Sequence, residues 1–382
     1  MAVVVTGIGL ISSLGHLETS WNQLLGGQSG IRLSQPFKEL APRPLALIEE
    51  EPTGLTKITQ QAVTDALQSA GLVPPLPDCG VAIGSSRSYQ GAWEQLARIQ
   101  HSGGSLATSC SLKNWLELLP HANAIAVARQ IRSHGPVLAP MAACATGIWA
   151  LAGAAQLIET GQCQRVIAGA VEAPITPLTL TGFQQMGALA RTGVYPFDRQ
   201  REGLALGEGA AVLVLESADL ARQRSAKVYG KILGFGLTCD AYHANALEPG
   251  RKSAIAAVKQ CLDRSKLTTS DIDYIHAHGT ATQLNDKHEA QIVQHLFPQG
   301  VAVSSTKGAT GHTLGASGAL GAAFCLMALQ QQILPPCVGL RTTQFDLDLV
   351  TAPRQSETRQ VLCLSFGFGG QNAVLALGRH TD

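Results

Sequence analysis

Apolar residues occur along the chain in two patterns, as short continuous runs and as longer segments with apolar residues at helical spacing. The runs are rich in β-branched residues and predict buried strands. In the first half of the chain they lie at residues 3–5, 81–83, 166–168 and 212–214. Helices are predicted between them, for example at residues 57–70 and 147–159. Because strands without polar alternation are typical of sheets covered on both faces, this half predicts a largely parallel sheet between helices.

The alternation of strands and helices resumes after a polar, charged segment at residues 216–224, where we place a boundary. The predicted elements that follow lie at residues 228–233, 254–263, 274–277, 290–295 and 316–329. The last two strands, residues 360–364 and 373–377, predict a hairpin about a glycine-rich turn. The pattern therefore predicts two similar βα-rich halves, residues 1–220 and 221–382.

The composition is that of a soluble protein with a sizeable core, since 45% of the 382 residues are hydrophobic. The formal net charge of +1 gives no overall field toward nucleic acid or an anionic membrane. The longest apolar stretch, around residues 318–329, is predicted to be too short and too rich in small residues to span a bilayer. The first residues lack the basic region of a signal peptide, so we expect a cytoplasmic protein.

Nine cysteines are scattered along the chain, and none of them forms a CxxC pair. They are Cys79, Cys110, Cys144, Cys163, Cys239, Cys261, Cys325, Cys337 and Cys363. An odd, dispersed set in a chain of this length predicts reduced thiols in a reducing compartment. The spacing supports neither a zinc ribbon nor a thioredoxin-like motif.

One of these cysteines, Cys144, lies between an apolar segment and the predicted helix 147–159. The unpaired backbone N–H groups and the dipole of a helix N-terminus stabilise a thiolate. We therefore predict a lowered thiol pKa and a nucleophilic role for Cys144. On its own, the pattern also fits a small buried cysteine with no reactivity.

Two histidines, His276 and His278, lie at the end of a predicted strand and directly before a glycine turn. The carboxyl ends of strands are where α/β proteins place functional groups. Thr280 and Thr282 follow and offer two hydroxyls on one side of the turn if it stays extended. This segment alone leaves open whether His278 acts on a substrate or only satisfies its own loop.

Two further segments combine glycines with functional or aromatic side chains. Lys307 and His312 lie on a glycine-rich turn before the Gly- and Ala-rich helix predicted at residues 316–329. Phe366 and Phe368 lie among the glycines of the predicted hairpin turn, where the backbone can approach a ligand closely. Core packing is the alternative role for both segments.

Taken together and in this order, the segments around Cys144, His278, His312 and Phe368 resemble the beta-ketoacyl-acyl-carrier-protein synthases of the elongating, Cys-His-His type. The resemblance covers almost the whole chain and includes the Gly-Glu-Gly-Ala of residues 207–210. It implies a thiolase fold, in which two similar α/β halves form five layers, α-β-α-β-α. It also implies an acyltransferase that forms a homodimer.

The resemblance implies catalytic roles for four residues. Cys144 would be the nucleophile, His278 and His312 would be the histidine pair, and Lys307 would hold and electrostatically support the site. The residues implied to assist Lys307 are Glu289 and Asp286.

Five other residues fall where the family binds its substrates. Thr280 and Thr282 would contact the phosphopantetheine arm. Phe368 would gate the site, and its backbone N–H would join that of Cys144 in an oxyanion hole. The remaining substrate-binding residues implied are Phe366 and Leu204.

The implied reaction lengthens an acyl chain by two carbons, in fatty-acid, specialised-lipid or polyketide biosynthesis. An acyl group passes from acyl carrier protein to Cys144 as a thioester. Malonyl-carrier protein then loses carbon dioxide, and the histidine N–H groups stabilise the enolate that attacks the thioester. No metal or organic cofactor is implied, because phosphopantetheine arrives on the carrier protein.

The chain departs from the family pattern at several places. His276 stands where Asn or Glu is usual, and Leu204 replaces a frequent Phe near the acyl pocket. The chain is abbreviated before residue 62 and between residues 189 and 195. Lys57 is nearly alone in a region that is basic in the family and contacts the carrier protein.

Two other functions are open at this stage. A metal-dependent hydrolase could use His276 and His278 as alternate ligands on a strand, with Asp286 and His288 nearby. It would leave the cysteine and lysine motifs without roles. Alternatively, the chain could be a non-catalytic partner subunit that shapes the pocket of another ketosynthase.

Overall fold

The structure is a computed structural model that describes residues 1–103 and 115–380. Cys110 lies outside the described residues. The strands are β1 (Val3–Ser12), β2 (Gly15–His16), β3 (Arg32–Ser34), β4 (Arg43–Leu45), β5 (Gly80–Gly84), β6 (Val137–Leu138), β7 (Arg165–Glu172), β8 (Gly209–Ser217), β9 (Gly230–Cys239), β10 (Tyr274–His276), β11 (Ala302–Ser304), β12 (Ile333–Leu334), β13 (Asp348–Leu349), β14 (Arg354–Gln355), β15 (Gln360–Gly367) and β16 (Gln371–Gly378). The helices are α1 (Leu17–Leu25), α2 (Leu55–Ser69), α3 (Gln90–His101), α4 (Ala122–Ile131), α5 (Thr146–Glu159), α6 (Pro177–Gln185), α7 (Ala218–Gln223), α8 (Lys252–Ser265), α9 (Gln283–Leu296), α10 (Lys307–Thr310) and α11 (Ser317–Gln331).

The main strands form two sets with the same topology. In the first set the order is β6-β5-β7-β8-β1, and in the second it is β11-β10-β15-β16-β9. Each set therefore places its third, second, fourth, fifth and first strand side by side. The two sets meet through the antiparallel pairing of β1 with β9, and β13 extends the second set beyond β11. The chain is thus built from two similar α/β halves, as expected.

The sheet is mixed, so the prediction of a largely parallel sheet is wrong. Strands β5, β6 and β7 are parallel to one another, but β8 is antiparallel to both β7 and β1. The second set repeats this arrangement, and β15 and β16 form the predicted hairpin. A run of apolar residues shows that both faces of a strand are covered. It does not show whether that strand is parallel or antiparallel to its neighbours.

Helices cover and separate the two strand sets and produce five layers. Side chains of α5 and α11 form a common core between the sets, represented by Leu151 and Leu320. On the outer faces, α2 and α4 pack on the first set, and α8 and α9 pack on the second. This α-β-α-β-α arrangement is the thiolase fold expected from the sequence.

Helix α11 is the middle of the molecule and not a membrane span. The segment Leu314–Gln331 has 18 residues and is apolar enough to cross a membrane by length and composition, so the apolar stretch is longer than predicted. However, 89% of it is buried inside the protein. Its many Gly and Ala residues allow close packing against α5 and both strand sets.

The segment predicted as a polar connection, residues 216–224, is ordered secondary structure. Glu216 and Ser217 end β8, and α7 follows. Glu216 is fully buried and forms ion pairs with Arg165 and Arg224. Glu216 and Arg224 of this segment thus form a buried ionic cluster with Arg165 of β7, so the segment is not a linker. The division between residues 220 and 221 remains a prediction.

Candidate active site

Cys144 lies just before α5, where the helical spacing predicts it. The turn that presents it is tight, because Ala143 has a φ of 47°, in the left-handed region. The Thr146 side chain closes this turn by accepting the N–H of Ala142 and donating to the carbonyl of Ala143. In addition, the Ser365 hydroxyl donates to the Cys144 carbonyl at 2.8 Å. The nucleophile candidate is therefore held from both halves of the molecule.

The Cys144 thiol is buried, and this changes its acidity in the direction opposite to the prediction. Burial raises its pKa to about 11. The Lys307 charge and a hydrogen bond from the backbone N–H of Phe368 act to lower the pKa, but they do not offset the loss of water. The expectation of a lowered thiol pKa is thus wrong for the free protein, and Cys144 is a neutral thiol at pH 7.

His278 and His312 are brought next to Cys144 from two different turns of the second half. The sulfur of Cys144 and one ring nitrogen of each histidine all lie within 4.8 Å of one another. The two imidazole rings meet edge to face, with centroids 5.2 Å apart and planes at 80°. A group bound at the sulfur would therefore face both histidines.

The hydrogen bonds around the two rings define their tautomers. The backbone N–H of Leu314 donates to Nδ1 of His312 at 3.2 Å, and Nζ of Lys307 lies 3.5 Å from Nδ1 of His278. Because both neighbours are donors, each Nδ1 is an acceptor and each proton is on Nε2. Burial, with the Lys307 charge next in importance, lowers both imidazole pKa values well below 6.5. Both rings are thus neutral Nε2–H donors.

Lys307 and Glu289 both hold the His278 segment through its backbone. Glu289 accepts the backbone N–H groups of His278 and Gly279 at 2.6 and 2.7 Å. Lys307 donates to the His278 carbonyl. Both charged residues are buried behind the site, and burial raises the pKa of Glu289 to about 7 and lowers that of Lys307. Their contacts are with the histidine segment, so they position His278 rather than line the cavity.

Asp286 supports the next part of the same turn. Its carboxylate accepts the N–H groups of Phe197 and Ala281 at 2.7 and 3.1 Å, and Arg201 lies 3.8 Å away. Burial raises its pKa to about 6. Ala281 has a φ of 63°, so the carboxylate stabilises a strained turn.

A cavity of about 350 Å³ connects Cys144 to the surface. Each predicted substrate-binding residue lines it, namely Thr280, Thr282, Phe366, Phe368 and Leu204. The hydroxyl oxygens of Thr280 and Thr282 lie 2.9 Å apart, so they do face the same side of the turn. The Phe368 ring, 36% exposed, lies at the mouth of the cavity.

Several residues of the site were missed from the sequence. Phe183, on α6, stacks on Phe368 with ring centroids 5.9 Å apart. Ser317 places its hydroxyl 2.9 Å from Nδ1 of His312. Glu172, fully buried near Cys144, accepts the N–H groups of Ser86 and Arg87. Phe183 and Glu172 carry no local motif, because each reaches the site through the packing of distant elements, whereas Ser317 follows His312 in the same glycine-rich segment.

In the part of the chain that the structure describes, the four ligands suggested for a metal-dependent hydrolase do not form one group. The ring nitrogens of His276 lie 3.1 Å from the Thr306 hydroxyl and 3.9 Å from the Cys363 sulfur. The other suggested ligands, Asp286 and His288, are bonded to backbone groups. Within residues 1–103 and 115–380, the group that could contact a single ion is the active-site trio of one cysteine and two histidines.

Comparison with known proteins identifies the family. The model described as "Beta-ketoacyl synthase, N-terminal domain" matches residues 53–221, and "Beta-ketoacyl synthase, C-terminal domain" matches residues 229–341. The chain belongs to the beta-ketoacyl synthases. It is therefore an enzyme, a condensing acyltransferase.

Similar beta-ketoacyl synthases extend over the whole chain. A 3-oxoacyl-[acyl-carrier-protein] synthase 2 of Mycobacterium leprae is 33% identical, with 98% of this chain and 96% of that protein covered. The protein of the same name from Rhizobium meliloti is 32% identical, with 99% of each covered. Both alignments are longer than 382 positions, which agrees with the abbreviated stretches noted in the sequence.

Solved structures agree with the family and with the fold. A beta-ketoacyl synthase from Burkholderia phymatum superposes with a TM-score of 0.92 at 27% identity, covering 100% of both chains. The ishigamide ketosynthase/chain length factor gives the same TM-score at 28% identity, covering 100% of this chain and 99% of that one. The beta-ketoacyl synthase assignment thus rests on sequence and structure alike.

Proposed function

We propose that the chain is a 3-oxoacyl-[acyl-carrier-protein] synthase that uses Cys144, His278 and His312 in two half-reactions. The observation that carries the proposal is the trio itself, with one sulfur and two ring nitrogens within 4.8 Å at the base of a cavity. The names of the similar proteins support acyl carrier protein as the source of both substrates. The product is a 3-oxoacyl chain for fatty-acid or polyketide biosynthesis.

In the first half-reaction, the Cys144 sulfur attacks the thioester carbonyl of acyl-carrier protein. The bond from the acyl carbon to the pantetheine sulfur breaks, and the Cys144 proton passes to that sulfur, so no net proton is released. The Phe368 N–H, which already points at the Cys144 sulfur, can donate to the carbonyl oxygen in the tetrahedral state. A neutral thiol is suited to this exchange, because its proton is needed by the leaving group.

In the second half-reaction, malonyl-carrier protein loses carbon dioxide and the electron pair moves into an enolate. The Nε2–H groups of His278 and His312 donate to the enolate oxygen, and each such donor is worth about 3 kcal/mol in a site closed to water. The enolate carbon attacks the acyl carbon, the bond to the Cys144 sulfur breaks, and the sulfur takes up one proton from the solvent. Lys307 keeps His278 in the required tautomer.

We also propose four further features. Thr280 and Thr282 bind the phosphopantetheine arm, and no metal or other cofactor takes part. The protein acts in a reducing, cytoplasmic compartment, a view supported by free thiols at all eight described cysteines. The chain divides at residue 220.

We also propose a homodimer, formed through the exposed edge of the first strand set. Strand β6 ends this set, and the exposed apolar side chains Leu138 and Met141 lie on it or close to it in the chain. Trp115 and Leu116 are exposed too. An open strand edge with apolar neighbours is a site for pairing with another chain.

Intact-mass spectrometry with peptide mapping tests the assignment. The protein is incubated with decanoyl-carrier protein and then with malonyl-carrier protein. We expect one acyl adduct on Cys144, discharged as 3-oxododecanoyl product, and no adduct on a Cys144→Ala variant. Acylation of Cys144→Ala to the wild-type extent, or an adduct that malonyl-carrier protein does not discharge, would contradict the proposal.

A further inference from the structure

His276 is buried two residues before His278, yet the mechanism gives it no role. It is 2% exposed and is the last residue of β10, between Ser304 on β11 and Cys363 on β15. A buried imidazole requires partners for both ring nitrogens. Its partners identify what the residue does.

The contacts of His276 form a single chain of donors and acceptors. The Cys325 thiol of α11 and Nδ1 of His276 both donate to the Cys363 sulfur and lower its pKa, with 3.9 Å between the sulfur and Nδ1 of His276. With its proton on Nδ1, His276 uses Nε2 as the acceptor for the Thr306 hydroxyl at 3.1 Å. This series of hydrogen bonds runs from Thr306 through His276 and Cys363 to the central helix α11.

Two residues of this hydrogen-bond series, Thr306 and Cys363, lie close in sequence to residues that contact the active site. Thr306 directly precedes Lys307, whose Nζ contacts both the carbonyl and Nδ1 of His278. Cys363 lies two residues before Ser365, which donates to the carbonyl of Cys144. His276 thus connects the lysine that orients His278 with the strand that contacts the nucleophile.

The central helix is shaped to accept this arrangement. Gly321 of α11 faces the histidine, and a Cβ on it would lie 2.8 Å from His276 Cε1 and Nδ1 and from the Cys363 sulfur. Real Cβ atoms do not approach so closely, so an alanine at this position requires His276 or Cys363 to move. The glycine therefore provides the space that an imidazole at position 276 needs.

We propose that His276 is a positioning residue that fixes Lys307, and through it the Nε2–H of His278, for the decarboxylative half-reaction. The inference rests on the proposed roles of His278 and Lys307. Because the acyl-transfer step depends on the Cys144 thiol and the Phe368 N–H, it should be much less sensitive to His276. The two half-reactions therefore respond differently.

The test measures the two half-reactions separately in wild-type, His276→Leu and His276→Gln proteins. Acylation by decanoyl-carrier protein is followed by mass, and condensation is followed in a single turnover of pre-acylated enzyme with malonyl-carrier protein. We expect His276→Leu to slow condensation about tenfold and acylation less than about twofold, as for a small displacement of a positioned group. Glutamine reaches the Nε2 position, so His276→Gln should restore condensation to within about threefold of the wild-type rate.

Two more variants make the result decisive if His276→Leu does not fold. Gly321→Ala should reproduce the selective loss, because its Cβ crowds both the His276 ring and the Cys363 sulfur that the ring contacts. Cys261→Ala, which removes a buried sulfur on the outer helix α8, should change neither half-reaction. Equal loss in both half-reactions, unchanged condensation in His276→Leu, or no rescue by glutamine would overturn the inference. Failure of the wild-type protein to acylate Cys144 would instead overturn the proposed function on which it rests.

Discussion

Ser317, the first residue of the central helix α11, places its hydroxyl 2.9 Å from Nδ1 of His312. The backbone N–H of Leu314 reaches the same nitrogen. Two donors on Nδ1 hold the ring in one tautomer and one orientation. In this tautomer the proton is on Nε2, which is available to a substrate in the cavity. A helix that is otherwise a packing element thus takes part in the chemistry through its first side chain.

Replacing Ser317 by Ala should slow condensation while leaving acyl transfer intact. The Leu314 N–H still fixes the tautomer, so only one hydrogen bond of about 1 kcal/mol is lost, which corresponds to a rate about five- to tenfold lower. His312→Ala, which removes the donor itself, should slow condensation by at least about a hundredfold. The measurement is single-turnover condensation of pre-acylated enzyme, and equal rates for the wild-type and Ser317→Ala proteins would show that the hydroxyl has no role.

The raised pKa of Cys144 predicts how its alkylation depends on pH. Because only the thiolate reacts, and the pKa is about 11, the iodoacetamide reaction at Cys144 should accelerate about tenfold per pH unit from pH 7 to pH 10. The experiment uses a Cys239→Ser background, since Cys239 is exposed, with peptide mapping at each pH. A rate that reaches its plateau below pH 8 would show that Cys144 is a thiolate in the free protein.

The buried ionic cluster at Glu216 predicts a pH-dependent stability. Burial favours the protonated form, but hydrogen bonds from Arg224 and Arg165 outweigh it and hold the carboxyl pKa below its ordinary value of 4.5. Glu216→Gln should therefore lower the free energy of unfolding by about 2–4 kcal/mol at pH 7. A group with a depressed folded-state pKa stabilises above its unfolded pKa, so the difference should shrink as the pH falls below about 4.5.

Urea unfolding at pH 7 and pH 4 measures this difference. The control is Glu357→Gln, which breaks the exposed pair with Arg359 and should cause no measurable change. A Glu216→Gln protein as stable as wild type at pH 7 would show that the cluster has no net stabilising effect.

The position of Leu204 leads us to expect that this side chain affects which acyl-chain lengths the site accepts. It is buried against Cys144 and Phe183 in one apolar cluster beside the cavity. Leu204→Phe adds a ring next to the nucleophile, so acylation by decanoyl-carrier protein should fall at least about tenfold more than acylation by butyryl-carrier protein. The measurement is the acylation rate for each chain length, and an equal fall for both would place the acyl chain elsewhere.

The parts of the site that could be predicted share one property, which is that they lie at the ends of strands or the starts of helices. Cys144, His278 and His312 each lie on a turn beside glycine or alanine, where a side chain is presented to a cleft. Their meeting point could be predicted through the family resemblance, because no local pattern says which turns come together.

Other features depended on packing that no segment of sequence contains. The prediction of parallel strands was wrong, because the residues of β7 and β8 are apolar whether the two strands run parallel or antiparallel. The predicted direction of the Cys144 pKa shift was wrong, because the helix N-terminus can be predicted from the sequence but the burial around the thiol cannot. The partners of His276 and the stacking of Phe183 also come from elements far away in the chain.

The nucleophile comes from the first strand set and both histidines come from the second, so the catalytic group exists only while the two halves stay docked. Enzyme activity therefore measures whether the two halves are correctly packed against each other. During denaturation, a small displacement of one half from the other should abolish turnover while the helices and strands within each half persist. In urea, loss of activity is expected to come before loss of the far-ultraviolet circular dichroism signal.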